Sequence, residues 1–434
     1  MFRRGGYMPL SLVDGLPAAY TRPHETQTGV LAPVRPEERI HALDLLRGWA
    51  MFGVLWSNLN DWYGTRDPVT KLDGALAWTQ QWLVEERFFT LLCFLFGAGF
   101  AIQLLRAGDR GVDVKSTYTR RSVSLLAIGL FHGLVIWSGD ILTIYALVSF
   151  ALVMFRTASA KRALISAAVI WLFAREIITR LRFVAGMIYM VARPNPTTSN
   201  WILAHGSWLQ ITPIRIATYY DWFARWGLTS YFDILAMFLA GMWAVKSGYL
   251  TRVTQDRSAT RRLLFASIAV ALLGYAVELW FAKIWPPLSA PARGVTDVHF
   301  WWPRQLVMRM LDFSTAASTL AYAAGLLLLW QTARGARWLA PMAAAGRMAL
   351  TTYLTQSVVC TLLFLGYGLG MYGRLGFTGM FLVTVILFGC QMIASTWWLA
   401  RFRFGPAEWL WRRLTYGQAI PFRIDTNTKA SRGD

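Results

Sequence analysis

The chain has 434 residues, of which 56% are hydrophobic, 15% aromatic and only 15% charged. Apolar runs of about 20 residues recur along most of it, and each is long enough to cross a bilayer. The net charge of +20 does not indicate nucleic acid, because the basic residues lie at the ends of apolar runs and form no basic face. Composition therefore excludes a soluble domain and predicts an all-α polytopic membrane protein.

The N-terminal segment 1–40 is polar and proline-rich, and it lacks the apolar stretch that a cleavable signal peptide needs. We expect a disordered cytoplasmic tail there, then a membrane domain over 41–415 and a polar C-terminal tail over 416–434. Apolar run length, with flanking glycine, proline and charge, predicts about ten transmembrane helices in the membrane domain. Their ranges are 43–60, 88–106, 121–138, 140–156, 162–190, 228–247, 262–283, 306–330, 349–371 and 376–400.

The first span places charge in an otherwise apolar run. Asp44 and Arg47 are three residues apart, so they can pair on one helix face, and Asn58 lies about three turns beyond Arg47 on that face. Charge at membrane depth is costly and usually marks function. The alternative is a basic anchor at the cytoplasmic end of the helix with a local ion pair.

The third span contains His132, the one clearly intramembrane histidine of the five in the chain. Asp140 follows, at the turn before the fourth span. A carboxylate in this position can fix the tautomer of an imidazole that acts as a general base. Alternatively, Asp140 caps the fourth helix and His132 is a hydrogen-bonded packing residue, as lone helical histidines often are.

Further polar residues lie in later spans. Asp233 and Glu278 are in or near the outer halves of their helices, and Arg309 and Asp312 form a second pair at i, i+3. We expect Asp233, Arg309 and Asp312 to line a substrate cavity that opens away from the cytoplasm, although such pairs also simply hold helices together.

The long connection over 191–227 is basic and rich in aromatic residues. A surface loop that dips into the headgroups is the favoured interpretation, and an interfacial helix is the alternative.

Basic residues recur at alternate helix ends, whereas the connection after the first span carries mainly acidic residues. The positive-inside rule places the basic ends in the cytoplasm. With an even number of spans both termini are cytoplasmic, and we expect a multi-pass protein of the bacterial inner membrane.

Five motifs follow one another along the chain. They are Leu43–Gly48, Arg87–Phe100, His132–Leu142, Gly346–Leu354 and Arg403–Arg412. In this order they resemble the YeiB-like family of bacterial membrane proteins, domain of unknown function 418, over nearly the whole chain beyond about residue 40.

The Arg-Gly opening of the first helix is also similar to that of the wider transmembrane acyltransferases. In the group that modifies bacterial surface sugars, a catalytic histidine stands eleven residues after the arginine, where this chain has Asn58. The lysosomal heparan-modifying group shares the asparagine but has its active histidine in the following connection, where this chain has none before Arg87. The family's base is therefore not carried over, and His132 is the candidate in its place.

The resemblance implies transfer of an acyl group from acyl-CoA, as a co-substrate, to a lipid, glycan or small metabolite. In this interpretation the basic side chains attract the CoA phosphates, and His132, with Asp140, deprotonates the acceptor. Asn58 or Gln356 stabilises the oxyanion. The residues expected to bind the co-substrate are Asp44, Arg47, Arg121, Arg347 and Gln356.

No metal-ligand spacing, redox-cofactor motif or nucleic-acid module occurs, so we expect no tightly bound cofactor. The main alternative is a transporter or flippase of a small or lipid-like substrate, with the same residues as gates. An accessory protein whose polar pairs only specify helix packing is a third.

Overall fold

A computed structural model describes residues 40–64, 68–109, 114–174, 196–224, 228–284 and 302–424. In these ranges the fold is almost entirely helical. The described residues contain a single antiparallel β-bridge, between Phe402 and Arg423. The helices are α1 His41–Tyr63, α2 Lys71–Thr79, α3 Arg87–Asp109, α4 Val114–Phe131, α5 Leu142–Met154, α6 Ala160–Val169, α7 Pro196–His205, α8 Trp208–Trp222, α9 Leu228–Lys246, α10 Tyr249–Gln255, α11 Arg257–Ile284, α12 Trp302–Trp330, α13 Ala333–Arg347, α14 Ala349–Phe364, α15 Phe377–Leu399 and α16 Pro406–Tyr416.

Apolar helices mark the chain as a helical membrane protein. Among the described residues, five helical segments are long and apolar enough to cross a bilayer, or six if α9 and α10, bent by 71° where they meet, form one span. The five are Lys71–Gly108, Val114–Ile136, Arg257–Val277, Asp312–Trp330 and Phe377–Leu399. They expose large apolar side chains outwards: Leu273 of α11 is 66% exposed and Ile393 of α15 is 73% exposed.

The predicted ten spans are not confirmed. Two of the predicted spans, α5 and α14, are apolar helices that are too short by themselves. The first, α1, carries Asp44, Arg47 and Asp61 and is too polar to count. The fifth, predicted over 162–190, is described only as far as residue 174.

Glycines bring α1 against α13. A Cβ atom on Gly48 would overlap the Met342 carbonyl, and one on Gly346 would overlap the Asp44 carbonyl. The two backbones touch at this crossing, so the first and fourth sequence motifs, Leu43–Gly48 and Gly346–Leu354, pack directly against each other. Gly97 plays the same part where α3 crosses α9, since its Cβ would overlap the backbone of Phe238.

The regular helix stops just before His132. Residues His132–Ile136 form a π-helical turn, and the backbone then runs through a bend near Ser138 before α5 begins at Leu142. Such turns are rare and often occur at functional sites. His132 therefore lies at the end of its span and not within a continuous helix.

The connection predicted as a surface loop is helical where the structure describes it. It forms α7 and α8, and Ser207 and Gln210 close a capping box at the start of α8. The favoured loop interpretation was wrong because it rested on composition, whereas this cap and the burial of Ile211 and Tyr219 on one face of α8 specify a helix.

The C-terminal motif packs under the start of α14. Glu408 of α16 accepts hydrogen bonds from the backbone amides of Leu350, at 2.6 Å, and Thr351, at 3.1 Å. Residues 417–424 of the predicted tail fold back beside it, where the Arg403 amide donates to the Phe422 carbonyl. Residues 1–39 and 425–434 lie outside the described residues.

Candidate functional site

A cavity of about 270 Å³ lies where α1, α3, α4, α13 and α16 meet, and we call it the basic cavity. Five arginines line it: Arg47, Arg106, Arg121, Arg347 and Arg412. Two carboxylates, those of Asp44 and Glu408, lie beside them. Cations therefore outnumber anions in its wall, which suits an anionic ligand.

Packing holds two of these arginines in place. Arg47 Nη1 lies 3.0 Å from Asp44 Oδ1, so the predicted i, i+3 pair forms. The guanidinium of Arg121 lies 3.8 Å from the centre of the Trp411 ring, and Trp411 Nε1 donates to the Arg121 carbonyl at 3.0 Å. Cation–π contact and hydrogen bonding thus orient Arg121 from the C-terminal motif.

A larger cavity, of about 760 Å³, opens at the opposite end of the bundle, and we call it the acidic cavity. Its carboxylates are those of Asp61, Glu85, Glu86 and Asp221, and its one cationic lining residue in the described part of the chain is Arg215. The backbone of Glu86 is left-handed, with φ 63°, a conformation that costs roughly 1–2 kcal/mol for a residue with a side chain. This strain lies at the rim of the cavity.

The two cavities share a wall. Val54, Ile141 and Tyr353 line both of them. Tyr353 is 4% exposed, and its hydroxyl accepts a hydrogen bond from the Ile141 amide at 3.3 Å. Ligands entering from opposite ends would therefore approach each other at these three side chains.

A buried His–Asp pair lies behind the wall. His132 Nδ1 is 2.8 Å from Asp140 Oδ1, and both side chains are fully buried. Asp140 also accepts from the backbone amides of Leu142, at 3.2 Å, and Thr143, at 2.8 Å, and from the Thr143 hydroxyl at 2.7 Å. Asp140 thus accepts from the first amides of α5 and binds His132 at once, so capping the helix does not prevent it from orienting the imidazole.

The free nitrogen of this pair points at no described partner. A carboxylate accepts hydrogen bonds, so His132 Nδ1 carries the hydrogen of this bond, and in a neutral imidazole the lone pair is then on Nε2. Nε2 is buried and has no hydrogen-bond partner among the described residues. His132 lines neither cavity: its ring packs 5.0 Å from that of Tyr353 and 6.1 Å from that of Trp137, both of which line the acidic cavity.

Helix α8 holds the π-helical turn in place. Arg215 Nε donates to the Leu134 carbonyl at 3.0 Å. The Tyr219 ring covers Gly133 so closely that a Cβ there would overlap it. The Tyr219 hydroxyl donates to the Thr143 hydroxyl at 3.0 Å, which connects α8 through Asp140 to His132.

Comparison with known proteins defines the family. The model of a family described as a protein of unknown function (DUF418) matches residues 244–418. Uncharacterized protein YxaH of Bacillus subtilis is 31% identical over 411 residues, which cover 89% of this chain and 96% of that protein. The chain belongs to the DUF418 family.

Two further relatives match this DUF418 protein over most of their length. Uncharacterized protein YeiB of Escherichia coli is 27% identical over 406 residues, 88% of this chain and 98% of YeiB. An uncharacterized 39.9 kDa protein of Bacillus acidopullulyticus is 24% identical over 397 residues, 90% of this chain and 98% of that protein. The resemblance to the YeiB-like family is confirmed. These names state no activity.

Four of the five residues predicted to bind a co-substrate line the basic cavity of this DUF418 protein: Asp44, Arg47, Arg121 and Arg347. The fifth, Gln356, does not, because its amide donates to Gln391 at 2.9 Å and so links α14 to α15. Its other neighbours form a small cavity of about 20 Å³, which Asn58 also lines. Asn58 in addition lines the acidic cavity.

Two of the three predicted substrate residues lie elsewhere. Asp233 of α9 and Asp312 of α12 line neither the basic nor the acidic cavity. Both helices pack against α3. The side chains of Arg309 and Glu278 lie outside the described residues.

Other side chains of the site were missed. Tyr353 lies in the quoted Gly346–Leu354 motif, and Glu408 is an acidic residue in an apolar motif, so both had a sequence signal. Arg215 and Tyr219 had none, because only the packing of α8 brings them to the π-helical turn of the DUF418 fold.

Proposed function

We propose that this protein transfers an acyl group through the membrane, from an acyl-CoA at its basic end to an acceptor at its acidic end. The observation that carries the proposal is the shared wall, since donor and acceptor would meet at Val54, Ile141 and Tyr353. The similarity of the first motif to that of transmembrane acyltransferases favours the same reaction class.

In this proposal the basic cavity faces the cytoplasm from the bacterial inner membrane, which is the orientation that the positive-inside rule favours. In this arrangement α1, α5, α6, α9 and α14 cross or enter the bilayer beside the five longer spans, and both termini are cytoplasmic. Donor and acceptor then come from opposite compartments.

The basic cavity suits the donor. Its guanidinium groups can form charge-assisted hydrogen bonds with phosphates. At about 270 Å³ it is at the small end of ligand sites. It therefore suits the acyl chain and pantetheine arm, with the diphosphate at the arginines and the adenosine outside.

The His132–Asp140 pair supplies the base in this proposal. When Trp137 or Tyr353 turns aside, His132 Nε2 takes the proton of an acceptor hydroxyl or amine, whose heteroatom forms a bond to the thioester carbonyl carbon. The carbon–sulfur bond then breaks, and the CoA thiolate receives the proton from His132. The amide of Asn58 stabilises the oxyanion.

The test compares envelope lipids and glycans of a deletion strain and its parent by mass spectrometry. We expect one species to lose the mass of an acyl group. The wild-type gene and His205→Asn, which changes an exposed histidine, should restore it, whereas His132→Asn should not. Full restoration by His132→Asn would remove the base from the proposal.

Transport is the second candidate. His132 and Asp140 are buried and reach neither cavity, which favours transport over a reaction that needs them at the substrate. In a transporter the two cavities would be half-channels, and the shared wall would be the gate between them. Unchanged acylation in the deletion strain, with a metabolite retained on one side of the membrane, would favour transport.

A further inference from the structure

Arg215 carries a buried nitrogen that no described residue satisfies. The side chain is 4% exposed, its Nε donates to Leu134 and its Nη2 donates to the Thr212 hydroxyl at 2.6 Å. The guanidinium also lies 5.0 Å from the Trp208 ring centre. Its Nη1 is buried without a hydrogen-bond partner among the described residues. These contacts fix the group and leave Nη1 as a buried donor without a partner among the described residues.

That donor belongs to a residue that lines the acidic cavity. An unsatisfied buried donor on a charged group is costly, and a carboxylate or phosphate oxygen is its best partner. The guanidinium is held by three contacts before any ligand binds, so little further ordering is needed.

The carboxylates of the same cavity set the second requirement. Asp61, Glu85, Glu86 and Asp221 line it with Arg215. Four carboxylates beside one guanidinium favour a cationic group on the ligand, and Arg215 Nη1 favours an anionic one. A ligand with an anionic and an ammonium group meets both conditions, and about 760 Å³ is ample for it.

We infer that the acidic cavity binds a zwitterion, with its phosphate or carboxylate on Arg215 Nη1 and its primary ammonium among the carboxylates. Within the proposed function, on which this identification of the acceptor rests, the amine or a neighbouring hydroxyl receives the acyl group. The same chemistry occurs in a phosphoethanolamine lipid headgroup and in a soluble amino acid or phosphoethanolamine.

The experiment measures binding of radiolabelled O-phosphoethanolamine to the full-length protein in phosphatidylglycerol nanodiscs. We expect saturable binding, and we expect ethanolamine and glycerol 3-phosphate, which carry one charge type each, to compete at least about tenfold more weakly. In discs that contain phosphatidylethanolamine, lost probe binding assigns the site to the lipid headgroup. Unchanged probe binding there assigns it to a soluble zwitterion.

Two variants test the two halves of the site. Arg215→Gln keeps a donor for Leu134 but loses the charge, so the Kd should rise about 10- to 100-fold. Arg374→Gln, at an exposed arginine that does not line the cavity, should bind like wild type. Asp221→Asn should weaken binding of phosphoethanolamine but should not weaken competition by glycerol 3-phosphate, which has no ammonium group. This variant tests the ammonium half of the site even if Arg215→Gln does not fold.

Equal competition by glycerol 3-phosphate, an unchanged Kd in folded Arg215→Gln, or no saturable binding would overturn the inference. The readout is independent of acyl transfer. Zwitterion binding without acylation in cells removes the proposed function alone, whereas acylation without zwitterion binding removes this identification of the acceptor alone.

Discussion

The rings of His132 and Tyr353 pack with their centroids 5.0 Å apart, and Tyr353 also separates the basic from the acidic cavity. One side chain therefore covers the buried His132 and divides the two cavities. Both proposed functions, acyl transfer and transport, would depend on this ring.

Replacing Tyr353 by alanine should join the two cavities. We expect Tyr353→Ala proteoliposomes to leak small ions faster than wild-type ones, because the ring fills the shared wall. Tyr353→Phe keeps the ring and loses only the weak contact with the Ile141 amide, so it should stay tight. Flux of a fluorescent ion indicator measures this, and equal tightness of folded Tyr353→Ala would show that Val54 and Ile141 suffice.

Removing a guanidinium from the basic cavity should weaken CoA binding. Arg47→Gln should raise the Kd for CoA about 10- to 100-fold by calorimetry, because charge-assisted hydrogen bonds to phosphate contribute about 1.5–3 kcal/mol. Arg334→Gln, at an exposed arginine that does not line this cavity, is the matched control. Equal losses in both variants would point to general charge attraction and not to this cavity.

Tyr219 is a positioning residue for His132. Tyr219→Phe removes the bond to Thr143 and should shift the pH profile of acyl transfer, because Thr143 also donates to Asp140. Tyr220→Phe changes an exposed neighbour, 62% exposed, and should leave the profile unchanged. A lower rate with the wild-type profile would indicate a structural role only.

The crossing of α1 and α13 should not tolerate a methyl group. Gly48→Ala should lower the free energy of unfolding by about 1–3 kcal/mol, since its Cβ meets the Met342 carbonyl. Gly99→Ala is the control, because its Cβ would lie 3.6 Å from Arg47 Nη2, an ordinary contact. Thermal unfolding in detergent compares the two, and equal melting temperatures would contradict the close crossing.

Glu408 should make stability depend on pH. Burial raises the pKa of its carboxyl above the ordinary value of 4.5. A raised folded-state pKa gives stability that is fully present below the unfolded pKa and is lost as pH rises through the folded one. Relative to Glu408→Gln, which cannot ionise, wild type should therefore lose unfolding free energy as pH rises from about 4.5 towards neutrality. Chemical denaturation at each pH measures the difference in unfolding free energy between wild type and Glu408→Gln. A difference that stays constant across this pH range would contradict the prediction.

The sequence by itself determined the helical membrane class, the family and four of the seven charged residues that line the basic cavity, namely Asp44, Arg47, Arg121 and Arg347. Apolar run length and basic helix ends are local properties, and the Asp44–Arg47 pair needs only one turn of helix. His132 and Asp140 were also within reach, because they are eight residues apart.

Only the tertiary structure decided the rest. Glu408 meets Leu350 across 58 positions, and Arg215 meets Leu134 across 81. Contacts at such separations depend on how whole helices pack, which short-range periodicity does not specify. The helix α8, the acidic cavity and the wall at Tyr353 therefore follow from packing, as does the separation of Asp233 and Asp312 from both cavities.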